Sequence, residues 1–226
     1  MTRIFVPSRG TKDWKRVYKN PGRQWQKGYP GRALAHCWER ADGLPNEIST
    51  LFSTSGMPSF RSVDPLIVFL DYQVPTPTGA AHHDLFCLAK DRTGQLVSMA
   101  VMGKVLAPFG PSVKKWRKAH AKDAEERLAA LQTTLGVNGG IPDDMPFALI
   151  SHAALAVLTA RQFNALTAVL LIHAFGQKPD WVEEYDRFLG LFHAQRTMSG
   201  LHLLRHTQGV SLYCGWAEGD AKYLHK

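Results

Sequence analysis

Apolar residues recur at helical spacing over residues 31–41, where Leu34, Cys37, Trp38 and Ala41 share a face and Gly43 with Pro45 ends the run. A shorter helix is expected in "PNEISTLFS". The pattern then turns continuous: "DPLIVFLDYQV" reads as a buried strand, and "PTPTG" as the turn that closes it. "HDLFCLAK" and "QLVSMAVMGKV" are two more strands joined by the tight turn "DRTG". Helical periodicity returns in "AKDAEERLAALQTTLG", with Leu128, Leu131 and Leu135 as its stripe and Gly136 as its stop. "MPFALISHAALAVLTARQF" is apolar on nearly every side, which predicts a helix buried on most faces. It feeds "ALTAVLLIHAF", a β-branched run suited to a central strand. A helix in "DWVEEYDRFLGLF", irregular chain and a last strand "VSLYCGW" complete the reading. The order helix, strand, strand, strand, helix, strand predicts an α/β (α+β) fold with a mixed central sheet flanked by helices.

A chain of 226 residues, 45% hydrophobic and 20% charged, suits one domain with an extension. Residues 29–226 are expected to form that domain, and residues 1–28 a basic N-terminal arm or cap. No apolar run of about 18 residues predicts a membrane span, and the first residues lack the apolar core of a secretory signal. Cys37, Cys87 and Cys214 show no metal-ligand spacing. Reduced thiols and a cytoplasmic setting are the expectation.

The net charge of +8 is concentrated: residues 1–27 hold eight Lys/Arg against Asp13 alone. They include Lys12, Lys15, Arg16, Lys19 and Arg23. A second basic run, "KKWRKAHAK", brings Lys114, Lys115, Arg117 and Lys118 around Trp116. Concentrated positive charge can neutralise phosphates and release counterions, so nucleic acid is the expected partner, DNA ahead of RNA. A solvated surface, or recognition of an acidic protein, would use the same charge. Trp14, Tyr18, Trp25 and Trp116, interleaved with basic residues, could stack on bases or pack against the domain.

The chemistry centres on the end of "LVSMAVMGKV". Residues two apart in a strand share a face, so Met102 and Lys104 project together. Asp84 opens the preceding strand. The element order, with Asp84 and Met102-Gly103-Lys104, resembles the PD-(D/E)XK nuclease-like superfamily, which places an acid on its second strand and acid-x-lysine on its third. "GRQWQKGYPGRALAHCWERADGLP", "HDLFCLAKDRTGQLVSMAVMGKVLAPFGPSVKKW" and "GVSLYCGW" resemble an uncharacterised bacterial family of such proteins, a domain of unknown function, over nearly the whole chain. Its third strand usually reads Val-Glu-Gly-Lys, and a later helix Tyr-Gln-Leu-Leu-His-Arg. Here Met102 replaces the glutamate, Ala148 the glutamine, and Ser151-His152 the His-Arg pair.

The resemblance implies a restriction-endonuclease-like αβββαβ core with a C-terminal extension, and a catalytic role for Asp84 and Lys104. The departures imply loss of catalysis. Mg²⁺ and Mn²⁺ sites use oxygen ligands, and a thioether supplies none. An active nuclease would need Mg²⁺ or Mn²⁺ on Asp84 with Asp71, near the end of the first strand, or Glu39, on the first helix. The plain alternatives for these two are an exposed strand-end carboxylate and a solvated helix face. A pseudo-nuclease would need no cofactor. His152, on an apolar helix, reads as a hydrogen-bonded core histidine.

Overall fold

The computed structural model describes residues 10–18, 21–76, 79–105, 107–176, 179–197 and 200–226. Its centre is a six-stranded mixed sheet in the order β1-β2-β3-β4-β6-β5. β1 (Val63–Thr76), β2 (Gly79–Asp91) and β3 (Leu96–Lys104) form an antiparallel meander. The β2–β3 turn is closed by Asp91, whose carboxylate accepts from Thr93 N, Thr93 Oγ1 and Gln95 N, while Gly94 takes φ 85°. That is the glycine-permitted conformation a tight turn requires.

β4 (Thr167–Ala174) runs parallel to β3, and β6 (Val210–Glu218) runs parallel to β4. β5 (Leu201–Thr207) closes the far edge antiparallel to β6. β4 is buried at every position after Thr167, which explains its unbroken apolar sequence.

Helices cover both faces. α1 (Thr11–Trp14), α2 (Pro21–Gln24), α3 (Pro30–Trp38) and α4 (Asn46–Ser53) lie on one side, where Trp14, Leu34, Trp38, Ile48 and Phe52 pack with Met99, Val101, Val169 and Leu171. α5 (Val113–Ala119), α6 (Ala124–Leu135), α7 (Phe147–Gln162) and α8 (Pro179–Gly190) belong to the other side, with Ala100, Met102, Leu170 and Ile172. Consecutive residues of β3 thus enter opposite cores, as a strand's two-residue period demands.

Three features depart from the reading of the pattern. "KKWRKA" forms α5, whose N-cap Ser112 accepts from Lys115 N. Residues 201–207, expected to be irregular, form the edge strand β5. The β1–β2 hairpin is longer than its apolar run, because its distal residues pair through to Thr76↔Gly79 beyond the buried stretch. Residues 10–18 pack on the domain: Trp14 and Tyr18 are buried, the Trp14 indole donates to Glu39, and Tyr18 Oη donates to Gly31 O at 3.1 Å.

Candidate functional site

β2 and β3 pair as far as Leu85↔Val101, which sets Asp84 across from Met102. Beyond that pair the Gly103 N–H donates to Asp84 Oδ2 at 2.8 Å. Asp84, Met102 and Lys104 line one cavity of about 510 Å³. Its walls include Gly28, Tyr29 and Pro30 at the start of α3, the 107–110 segment, and Ala148 and His152 of α7. The strand-end trio and two of the substituted helix positions, Ala148 and His152, therefore meet in space, 44 or more residues apart in the chain.

Each polar member is held by specific partners. Burial pushes the Asp84 carboxyl above the ordinary carboxylate range; Asp71 adds to this, while His152 and the Gly103 N–H pull the other way. His152 Nδ1 donates to Ala148 O at 2.8 Å, since a carbonyl oxygen can only accept. Lys104 is buried; its ammonium donates to Ala107 O and lies 4.3 Å from the Phe109 ring centre and 4.4 Å from that of Trp181. Aromatic faces stabilise such a cation. His152 is thus a member of the site as well as a bonded histidine. An imidazole one turn after Ala148 on a helix aimed at the strand end was the only signal for it.

The acids named as substitutes for a glutamate at 102 are not in the cavity wall, although Asp71 is near enough to Asp84 for its charge to raise that carboxyl. Asp71 does not line the cavity; it adopts φ 47° and its carboxylate is 3.5 Å from His82 Nδ1. Glu39 accepts from Trp14 and does not line it either. Among the described residues the cavity wall offers one desolvated carboxylate that already accepts a hydrogen bond, together with an imidazole and a buried thioether. That donor set does not fit Mg²⁺ or Mn²⁺, which call for several oxygens around the ion.

A second cluster, Cys37, Glu47 and His173, has ligand atoms within 4.8 Å of one another. Its hydrogen bonds argue for closure. Trp38 Nε1 donates to His173 Nδ1 at 3.1 Å, so Nε2 carries the ring proton and donates to Glu47 Oε1 at 2.9 Å. Cys37 Sγ donates to the same oxygen at 3.2 Å. Burial, then Glu47, pushes the Cys37 thiol well up, away from the thiolate a metal needs. A metal on Nε2 would force the proton onto Nδ1, against the indole N–H.

The basic residues separate into two groups. Lys12, Lys15, Arg16, Lys114, Lys115 and Lys118 are exposed. Lys19 and the side chain of Arg23 lie outside the described residues. Arg117 is engaged, with Nε 2.8 Å from Glu125 and Nη1 on Asp143. Trp116 is not a surface platform: it is buried and stacked on Phe147 at 3.8 Å between ring centres, with His120 at 4.7 Å. Its apolar bulk was needed under α5, where it satisfies helix packing.

The fold and the strand-end cavity define a mixed α+β protein with an Asp–Met–Lys cluster on its central strands. The chain belongs to the family described as Domain of unknown function (DUF6946), whose model matches residues 7–221. That match does not connect it to PD-(D/E)XK nucleases. No curated protein and no solved structure matches the chain. Among the described residues no helix is long and apolar enough to cross a membrane.

Proposed function

We propose that this protein binds nucleic acid on a nuclease-like core whose hydrolytic centre has lapsed, with DNA as the preferred partner. The observation that carries the reading is the buried Met102 set across from Asp84, beside a Lys104 whose ammonium is enclosed by Phe109, Trp181 and the Ala107 carbonyl. A working two-carboxylate site would neutralise a divalent cation and leave the lysine free to orient water or stabilise charge. On this reading Asp84 and Lys104 keep the acid and lysine positions, and Met102 takes the place of the second carboxylate. The meander β1–β2–β3 followed by a helical crossover to a parallel β4 agrees with the nuclease-like core order.

Binding would rest on Lys12, Lys15 and Arg16 and on Lys114, Lys115 and Lys118, all open to solvent. Such contacts act through phosphates and give affinity that falls with salt.

The test incubates the full chain with labelled single- and double-stranded DNA and RNA, with Mg²⁺ or Mn²⁺. The expected result is salt-sensitive binding without cleavage, with DNA bound more tightly than RNA. Cleavage that disappears in Asp84→Ala/Lys104→Ala would reject the lapsed centre. Absence of binding to every nucleic acid would reject the partner class and favour an acidic protein. Met102→Glu should gain Mn²⁺ affinity without gaining cleavage, because Lys104 stays enclosed.

A further inference from the structure

The outward side of α3 carries a pattern that the charge count of the two basic runs does not include. Tyr29, Arg32, His36 and Arg40 are spaced three, four and four residues apart, so they form one ridge along the helix and its flanks. The rest of α3 is committed to the core: Gly31, Ala33, Leu34, Ala35, Cys37 and Trp38 are buried. Arg40 is exposed and Arg32 and His36 are half-buried. Glu39 borders the ridge with its carboxylate accepting from Trp14.

The charges converge on His36. Burial, then Arg32, Arg40 and Lys226, holds its pKa below the ordinary histidine value. Arg32 Nε and His36 Nδ1 are buried with no hydrogen-bond partner among the described residues. Two guanidinium groups flanking an imidazole, with polar atoms left unused, are the complement of an anionic chain. At the other end of the ridge Tyr29 is 36% exposed and forms part of the rim of the 510 Å³ cavity that holds Asp84 and His152.

We infer that the α3 ridge is the track for one strand of nucleic acid, with Arg32, His36 and Arg40 on successive phosphates and Tyr29 stacking a base at the cavity mouth. The inference rests on the nucleic-acid reading above. Four residues of helix advance about 6 Å, a step that an extended single strand also makes between phosphates. A basic track ending on an exposed aromatic ring is how single strands are held without sequence readout. An acidic protein surface would satisfy the cations but leave the ring and the cavity unused.

The experiment measures anisotropy of a labelled single-stranded oligodeoxynucleotide against the full chain over a salt series. Each lost phosphate contact removes about 0.7 from the slope of log affinity on log salt. In Arg32→Gln/His36→Gln/Arg40→Gln the loss of two guanidinium contacts should therefore flatten the slope by about 1.4, the uncharged His36 ring adding none, and Tyr29→Ala should weaken binding about tenfold or more with the slope unchanged, one stacked base being worth about 1–3 kcal/mol. Should the triple variant fail to fold, the exposed Arg40→Gln alone should still flatten the slope by about 0.7. In the unaltered protein, the His36 ring NMR signals, assigned with His36→Gln, should move on adding the oligonucleotide. Wild-type binding with an unchanged slope in Arg40→Gln and a stationary His36 would overturn this inference and leave the nucleic-acid reading standing. Failure of the wild type to bind any oligonucleotide would overturn both, as would a His36 response to polyglutamate alone.

Discussion

Asp84 is a carboxyl group on which burial, Asp71, His152 and the Gly103 N–H all act, with the balance favouring the proton. A carboxyl whose pKa is raised by folding contributes stability that is fully present below its unfolded value and lost as pH rises through the folded value. Asp84→Asn keeps an acceptor for Gly103 and removes the charge. It should be more stable than wild type at neutral pH, the difference shrinking toward acid. Denaturant unfolding of both proteins from acid to neutral pH measures this; a gap that widens toward acid would contradict it. At His173 the question is the tautomer. With the Trp38 indole on Nδ1, Zn²⁺ should leave the Tm of the wild type unchanged, whereas a metal centre would raise it by mass action. Neither prediction could be drawn from sequence: Trp38 and His173 are 135 positions apart.

At the scale of elements, α3 rests on β3 through a glycine. A Cβ on Gly103 would stand 2.7 Å from Leu34 Cδ1 and 2.8 Å from Pro30 Cβ. The leucine end can rotate away, but the proline ring cannot. Gly103→Ala should therefore cost about 1–3 kcal/mol and shift the start of α3 at the cavity mouth. Chemical denaturation gives the cost, and a change in Tyr29 NMR signals reports the shift. Trp116 provides the matching test on α5. Because it lies between Phe147 and His120 with the Arg127 guanidinium 4.9 Å from its ring centre, Trp116→Ala should lose about 3–5 kcal/mol. The fraction that remains folded should bind oligonucleotide with unchanged affinity. β3, β4 and α7 were legible because burial on both faces, or on all sides, leaves an unbroken apolar signature. β5 was not, since an edge strand with Leu203 and His206 exposed pairs through its backbone, which sequence pattern does not display. α5 was hidden because its lysines outnumber its two buried residues, Val113 and Trp116.

Over the whole molecule, the charge that looks like two basic runs is redistributed by folding. Acids from α6 and from the loop before α7 reach Arg117, so α5 presents fewer free cations than its sequence suggests. The residues from Lys12 to Arg16 keep theirs, apart from the Arg16–Asp13 pair at 3.6 Å, which is exposed and correspondingly weak. Replacing Lys12, Lys15 and Arg16 by glutamine should thus flatten the salt dependence of nucleic-acid binding, whereas Arg117→Gln should leave it unaltered and act on stability. Anisotropy titrations at several salt concentrations separate the two.

The sequence by itself determined the succession of helices and strands, the burial of the central strands, and the shared face of Met102 and Lys104. Those follow from repeats of two and 3.6 residues, which need only near neighbours. It also placed Asp84 within reach, because an antiparallel hairpin ties two adjacent strands in register. Tertiary structure alone decided that His152 joins the cavity, that Asp71 and Glu39 stay out of it, that Trp116 turns inward, and that a basic ridge from α3 ends at Tyr29. These are meetings between segments remote in the chain. They depend on strand order and helix docking, which the packing of the whole core selects.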